Sequence, residues 1–249
     1  FMPEGTLVVG IDKYRDPFRE EAPLINTVVL FDNTGTYVCG SSAVTVERKE
    51  QESMRIYPLL KSCLQRLATR TRRKKWRRIL FIEDTGVGTM EEKLNLDVED
   101  CIRAAKRIGA AHALITANKS SHLRLYAGDR FDDLSAERAS AFTVAVRMRE
   151  PSQFLVVSTE PIMSREKARE YGTPRPVLYE VFSKSEELDL DELKEMVAKI
   201  VVWLCRHSWV SPTSTRLPAP IYFANKLSKL VSATGIPVGP EETEAPLFL

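Results

Sequence analysis

A chain of 249 residues, 43% hydrophobic and 28% charged, is long enough for a sizeable α/β core, and a formal net charge of +2 is too small to name a partner. No apolar run approaches the ~20 residues of a membrane span, and the N-terminal stretch lacks the order of a signal peptide, so the expected location is cytoplasmic, with no membrane partner. Four cysteines without a C-x-x-C pair and three histidines without ligand spacing disfavour a zinc or thiol-redox centre.

Residues 7–12, Leu-Val-Val-Gly-Ile-Asp, are an apolar run closing on one carboxylate, Asp12, and read as a central strand. Residues 26–31 and 37–46 read as two more strands, joined across Asp32-Asn33-Thr34-Gly35, a hairpin-type turn cluster. The chain therefore opens with three consecutive strands, expected to be antiparallel. Ile56, Leu59, Leu60, Cys63, Leu64 and Leu67 follow helical spacing, with Pro58 suited to the first turn. Glu47, Glu50 and Glu52 stand on the approach to that helix.

Residues 70–78 hold seven cations in nine positions, which suits either a solvated loop or a phosphate-backbone contact. The strand at 79–82 stops at Glu83-Asp84, again a carboxylate at a strand's carboxyl end. Val98, Cys101, Ile102, Ala105 and Ile108 mark a second amphipathic helix, and residues 113–116 the next strand. That order predicts a parallel crossover. Residues 117–140 are polar and loop-like, 142–148 and 154–158 read as a strand pair turning at 150–152, and 176–182 as another strand. Leu190, Leu193, Val197, Ile200, Val201 and Leu204 give the clearest helical stripe. A Pro-punctuated connection, 211–220, leads to a last helix from Ile221 through Leu230, and an acidic, Gly/Pro-rich tail, 235–249, ends apolar. With no internal repeat and no clear linker, one domain over 1–249 is expected.

Two acids at the ends of neighbouring strands are what a divalent-metal site needs, since Mg²⁺ and Mn²⁺ prefer carboxylate and amide oxygens. Such ions can clamp the attacking and leaving oxygens of a phosphoryl displacement. Asp also favours turns on its own account, so pattern alone leaves Asp12 and Asp84 open between ligand and turn residue.

The segment Arg216-Leu217-Pro218-Ala219-Pro220-Ile221-Tyr222-Phe223-Ala224-Asn225 resembles the signature near the C-terminus of the PIWI module of Argonaute proteins. Residues 78–84 resemble that family's strand ending in its second catalytic aspartate, and residues 9–12 the strand carrying the first. Residues 116–126 resemble its basic strand–loop against nucleic-acid backbone.

The resemblance implies an α/β fold with an RNase H-like mixed sheet flanked by helices. It implies a guide-directed, Mg²⁺- or Mn²⁺-dependent endonuclease with Asp12, Glu52, Asp84 and Asn225 as the catalytic set. Among the three glutamates Glu52 matches best by spacing, then Glu50. Asp12, Asp84 and Asn225 would ligate metal. Leu249, through its terminal carboxylate, would help hold a metal at the guide 5′-end pocket, towards which the tail 235–249 would reach. Asn118, Lys119, His122, Arg124 and Lys229 would contact nucleic acid.

Where the family often has Arg-Asp-Gly, this chain has Glu83-Asp84-Thr85, and a second carboxylate beside the site is expected to perturb metal affinity or substrate approach. The implied partners are a guide, a target strand, and a chain or upstream domains carrying the family's 5′-phosphate-binding (MID) unit, because this chain begins almost at the first strand. The alternative is a catalytically weak or silent PIWI module that binds a guide–target duplex and signals to a partner.

Overall fold

The computed structural model describes residues 2–18, 22–45, 55–71, 75–85, 91–121, 123, 126–127, 137–138, 144–145, 148–158, 176–206 and 216–240. The strands are β1 (Thr6–Tyr14), β2 (Leu24–Phe31), β3 (Tyr37–Thr45), β4 (Arg78–Asp84), β5 (Ala111–Asn118), β6 (Tyr126–Ala127), β7 (Glu137–Arg138), β8 (Val144–Ala145), β9 (Gln153–Val156) and β10 (Val177–Lys184). The helices are α1 (Tyr57–Arg70), α2 (Glu91–Ile108), α3 (Leu190–Arg206) and α4 (Ala219–Thr234). Eight strands make one mixed sheet in the order β3-β2-β1-β4-β5-β10-β9-β8, and β6 pairs separately with β7.

The three opening strands are antiparallel, as expected, and β1, β4 and β5 run parallel in the middle of the sheet. Central parallel strands are covered on both faces, so they read as unbroken apolar runs. Leu7, Val9 and Ile11 of β1 face one core with Ile79 and Phe81, under α1 and α2. Val8 of β1 faces the other core with Leu80 and Ile82, under α3 and α4. The α2 crossover between β4 and β5 is the predicted one.

Local chemistry sets the ends of these elements. The β2–β3 hairpin turns on Asp32, whose Oδ1 accepts the amides of Thr34 at 2.9 Å and Thr36 at 3.1 Å. Gly35 takes φ 74°, where a side chain is strained. The carboxylate of Asp100 accepts the amides of Ile56 at 2.8 Å and Tyr57 at 3.0 Å, which ties the start of α1 to α2. The acid thereby satisfies two of the amides that a helix start leaves without intrahelical partners. On the edge strand β3, the Ser42 amide donates to the Val238 carbonyl at 2.8 Å, so the chain beyond α4 covers part of that edge.

All four cysteines are buried free thiols. Cys39 and Cys63, distant in sequence, meet across the β3–α1 contact, with Cys39 Sγ 3.8 Å from the Cys63 carbonyl. No helix among the described residues is long and apolar enough to cross a membrane.

Candidate functional site

The parallel strands β1, β4 and β5 end together, and the site forms at their carboxyl ends, where ligands gather in open α/β sheets. Ile11 pairs with Glu83 in the β1–β4 register. One step further on, Asp12 and Asp84 therefore lie side by side, both on the face that carries α3 and α4. Asp12 is 4% exposed and the Asp84 side chain 5%. Asp12 Oδ2 and Asp84 Oδ1 are each buried without a hydrogen-bond partner among the described residues. Burying a carboxylate oxygen unsatisfied is costly, and two such oxygens on adjacent strands suit a shared cation.

Helix α4 closes the site from above, and Gly10 allows it to. A Cβ at Gly10 would lie 2.1 Å from the Pro220 carbonyl oxygen and 2.7 Å from the Ile221 nitrogen, so the start of α4 rests on bare β1 backbone. Pro218 is the N-cap, and prolines suit the first helical turn. This close approach brings Asn225 into a side-chain hydrogen bond with Asp12. Asn225 lies inside α4, in its second turn, so its amide does not cap the helix.

Ser228, fully buried one turn on, also bonds Asp12. Its Oγ lies 2.8 Å from Thr27 Oγ1 of β2 and 3.0 Å from the Ala224 carbonyl oxygen, so its single proton has both that carbonyl and Asp12 as acceptors. Burial pushes the Asp12 carboxyl above its ordinary value. The Ser228 hydrogen bond opposes that, the Asp84 charge adds to it, and Asn225 and Lys119 oppose it. Sequence reasoning missed Ser228. Its signal was a hydroxyl three residues after Asn225 on the same helical face.

Lys119 reaches in from the turn after β5, with Nζ 2.6 Å from Asp84 Oδ2. Its own backbone is held: the Arg216 guanidinium donates to the Lys119 carbonyl, and the Ser158 hydroxyl donates to the Arg216 carbonyl at 2.9 Å. Asn118 Oδ1 accepts the Ser120 amide at 2.9 Å and shapes the same turn. Lys119 thus stands at the carboxylates, where the sequence pointed to phosphate contact.

Glu83 corrects an expectation. Neighbouring residues of a strand face opposite ways, so Glu83 points to the far side of the sheet, away from Asp84's site. There Lys13 contacts both Asp97 of α2 and Glu83, the latter at 3.7 Å. Burial, then the Asp97 charge, push the Glu83 carboxyl up to about 8, against the pull of Lys13. The cluster lies on the far side of the sheet and does not crowd the Asp12–Asp84 pair.

The described residues of the basic run also lie away from the site. Arg70 donates to the Val38 carbonyl at 2.8 Å, Trp76 is buried, and Arg78 opens β4 at the end opposite Asp84. At about 3.3 Å per residue, the six steps of that strand put Arg78 roughly 20 Å from Asp84. Lys229 is exposed one turn beyond Asn225. Glu52, with Glu47 and Glu50, and also His122, Arg124 and Leu249, lie outside the described residues. Among the described residues no group of three or more His, Cys, Asp and Glu side chains could hold a metal ion. The donor set on hand is Asp12, Asp84 and Asn225: hard oxygens, two of them orphaned and buried, which fit Mg²⁺ or Mn²⁺.

A family profile described as "Piwi domain" matches residues 2–234. The Piwi-like protein Ago3 of Bombyx mori is 25% identical over 237 residues, covering 92% of this chain and 24% of that protein. Drosophila Piwi superposes with a TM-score of 0.74 at 18% identity, over 100% of this chain and 33% of that one. The Argonaute of Kluyveromyces polysporus, solved with a guide RNA, superposes with a TM-score of 0.70 at 18% identity, over 93% of this chain and 26% of that one. The chain thus spans a quarter to a third of the length of these relatives, and its sheet and flanking helices have the RNase H-like architecture of their Piwi regions.

Proposed function

The chain belongs to the Piwi domain family, and on that premise we propose that it carries the nuclease centre of a guide-directed endonuclease, cutting one phosphodiester of a target strand paired to a guide. The observation that carries this reading is the meeting of Asp12, Asp84 and Asn225 on one face at the ends of β1 and β4, with two buried carboxylate oxygens left without partners. A guide-bound relative of the same fold supports the nucleic-acid part.

Asp12, Asp84 and Asn225 would hold Mg²⁺ or Mn²⁺, with Glu52 entering from the segment before α1 and Leu249 serving the guide 5′ end. The bound ion would supply an activated water and a counter-charge for the leaving oxygen. The chain's own residues set the geometry. Ser228 and Asn225 fix the Asp12 carboxylate through hydrogen bonds, and the sheet fixes the Asp12–Asp84 spacing. Burial keeps bulk water off both acids. Asn118, Lys119, His122, Arg124 and Lys229 would meet backbone phosphates. The remaining partners are the target strand and a MID-containing chain or further domains of the same protein.

The test is incubation of the chain, with its MID-containing partner, with guide, matched target and Mn²⁺. Cutting at one position fixed from the guide 5′ end, lost in Asp12→Ala and in Asp84→Ala, is the expected result. One observation favours a second reading, a silent duplex-binding module: the Lys119 ammonium already sits on Asp84 Oδ2. Tight duplex binding without cutting, unchanged in both variants, would establish that reading in place of the first.

A further inference from the structure

Lys119 is a half-exposed cation resting on the buried acids. Its side chain is 42% exposed, whereas its partner Asp84 is 5% exposed. Its backbone is pinned by the Arg216 guanidinium and by the turn at Asn118, so only the four-carbon stem is free to swing. The ammonium covers Asp84 Oδ2, leaves Asp84 Oδ1 orphaned, and acts on Asp12 as well. The exposed ammonium end of the pair can move to solvent or to a phosphate, and a divalent ion on the two carboxylates would replace the charge that Asp84 then loses.

We propose that Lys119 is an exchange cation: it neutralises Asp84 until nucleic-acid phosphate draws it outward, and only then is Asp84 Oδ2 open to a divalent ion. The inference rests on the metal site proposed above. It makes nucleic-acid binding and metal binding mutually reinforcing, because each frees a group that the other needs. Such coupling is reciprocal by thermodynamic necessity. A centre built this way is poorly loaded when no strand is bound, which restrains cutting outside the guided complex.

Two binding measurements on the whole chain test it. In the first, Mn²⁺ is titrated calorimetrically without nucleic acid. Lys119→Gln should bind Mn²⁺ roughly tenfold more tightly than the wild type, a change typical of removing one competing charge. Lys119→Arg should keep the wild-type affinity. Equal or weaker binding in Lys119→Gln overturns the exchange while leaving the site in place. Unchanged Mn²⁺ binding in both Asp12→Asn and Asp84→Asn overturns the site itself.

In the second, affinity for a short guide–target RNA duplex is followed by fluorescence anisotropy in chelator. Asp12→Asn and Asp84→Asn remove the same charge, but only the latter releases Lys119. Asp84→Asn should therefore bind the duplex severalfold more tightly than Asp12→Asn, and adding Lys119→Gln should erase the difference. Equal binding by the two Asn variants refutes the exchange.

Discussion

Substituting Gly10 by Ala tests whether the close seat of α4 on β1 builds the site. The added Cβ would stand 2.1 Å from the Pro220 carbonyl oxygen and 2.2 Å from its carbon, both backbone atoms that no rotamer change can move. Reaching an ordinary contact near 3.4 Å requires α4 to withdraw by about 1 Å. Overpacking of this kind costs about 1–3 kcal/mol, and a backbone-on-backbone clash belongs at the top of that range. With a urea m-value of about 3 kcal/mol per molar, the unfolding midpoint should fall by roughly 1 M.

The same withdrawal lifts Asn225 and Ser228 off Asp12, so Mn²⁺ affinity should fall as well, and a misplacement of about 1 Å can cost a factor near 10² in rate. Gly235→Ala is the control. It sits at the α4 C-cap with φ 71° and open space around it, so it should cost about 1 kcal/mol and leave Mn²⁺ binding alone. If Gly10→Ala unfolds within about 0.5 kcal/mol of the wild type, or is destabilised with unchanged Mn²⁺ affinity, α4 does not depend on that seat.

Ser228→Ala removes one hydrogen bond to Asp12 and one partner of the Thr27 hydroxyl. It should lower stability by about 1–2 kcal/mol in urea melts and weaken Mn²⁺ binding, whereas a purely structural serine would affect the melt alone. Asp100→Ala strips the start of α1 of both amide acceptances and leaves Arg55 without one of its two carboxylate partners. A loss of about 2–3 kcal/mol is expected, and a loss under about 0.5 kcal/mol would deny the tie between α1 and α2. For His112, burial lowers the imidazole below its ordinary 6.5, Glu187 opposing and Lys106 adding. The unfolded chain then takes up the proton first, so stability is intact above pH 6.5 and falls as pH drops toward the folded value. Urea midpoints at pH 7 and pH 5 should converge in His112→Gln, and an unchanged slope would refute the assignment.

Much of the fold was legible because its strands are of the kind that sequence displays best. β1, β4 and β5 are buried on both faces and appear as apolar runs, and the order of strands and helices gave the parallel crossover through α2. The meeting of Asp12, Asp84 and Asn225 was legible only through a family signature, since no spacing rule joins residues from β1, β4 and α4. The misreading of Glu83 was avoidable: two-residue periodicity sends it to the face opposite Asp84. Strand direction likewise places Arg78, the last residue of the basic run, at the end of β4 opposite Asp84. The position of Lys119 Nζ was not readable, because a four-carbon stem lets a turn lysine serve phosphate or carboxylate alike.

The two sides of the same strand ends differ in how open their charges are to solvent. Lys13 follows Asp12, and Glu83 precedes Asp84. On the α2 face, the Lys13 ammonium meets both Asp97 and Glu83, and burial together with the Asp97 charge pushes the Glu83 carboxyl up to about 8. That face holds its cation inside the fold, with the Lys13 side chain 16% exposed, although Glu83 Oε2 and Asp97 Oδ1 are also buried without hydrogen-bond partners among the described residues. On the α4 face two carboxylates meet a single ammonium that is 42% exposed, and two buried oxygens have no partner. The α4 face is therefore the one more open to exchange with solvent, and it is there that the proposed divalent ion would meet Asp12, Asp84 and Asn225.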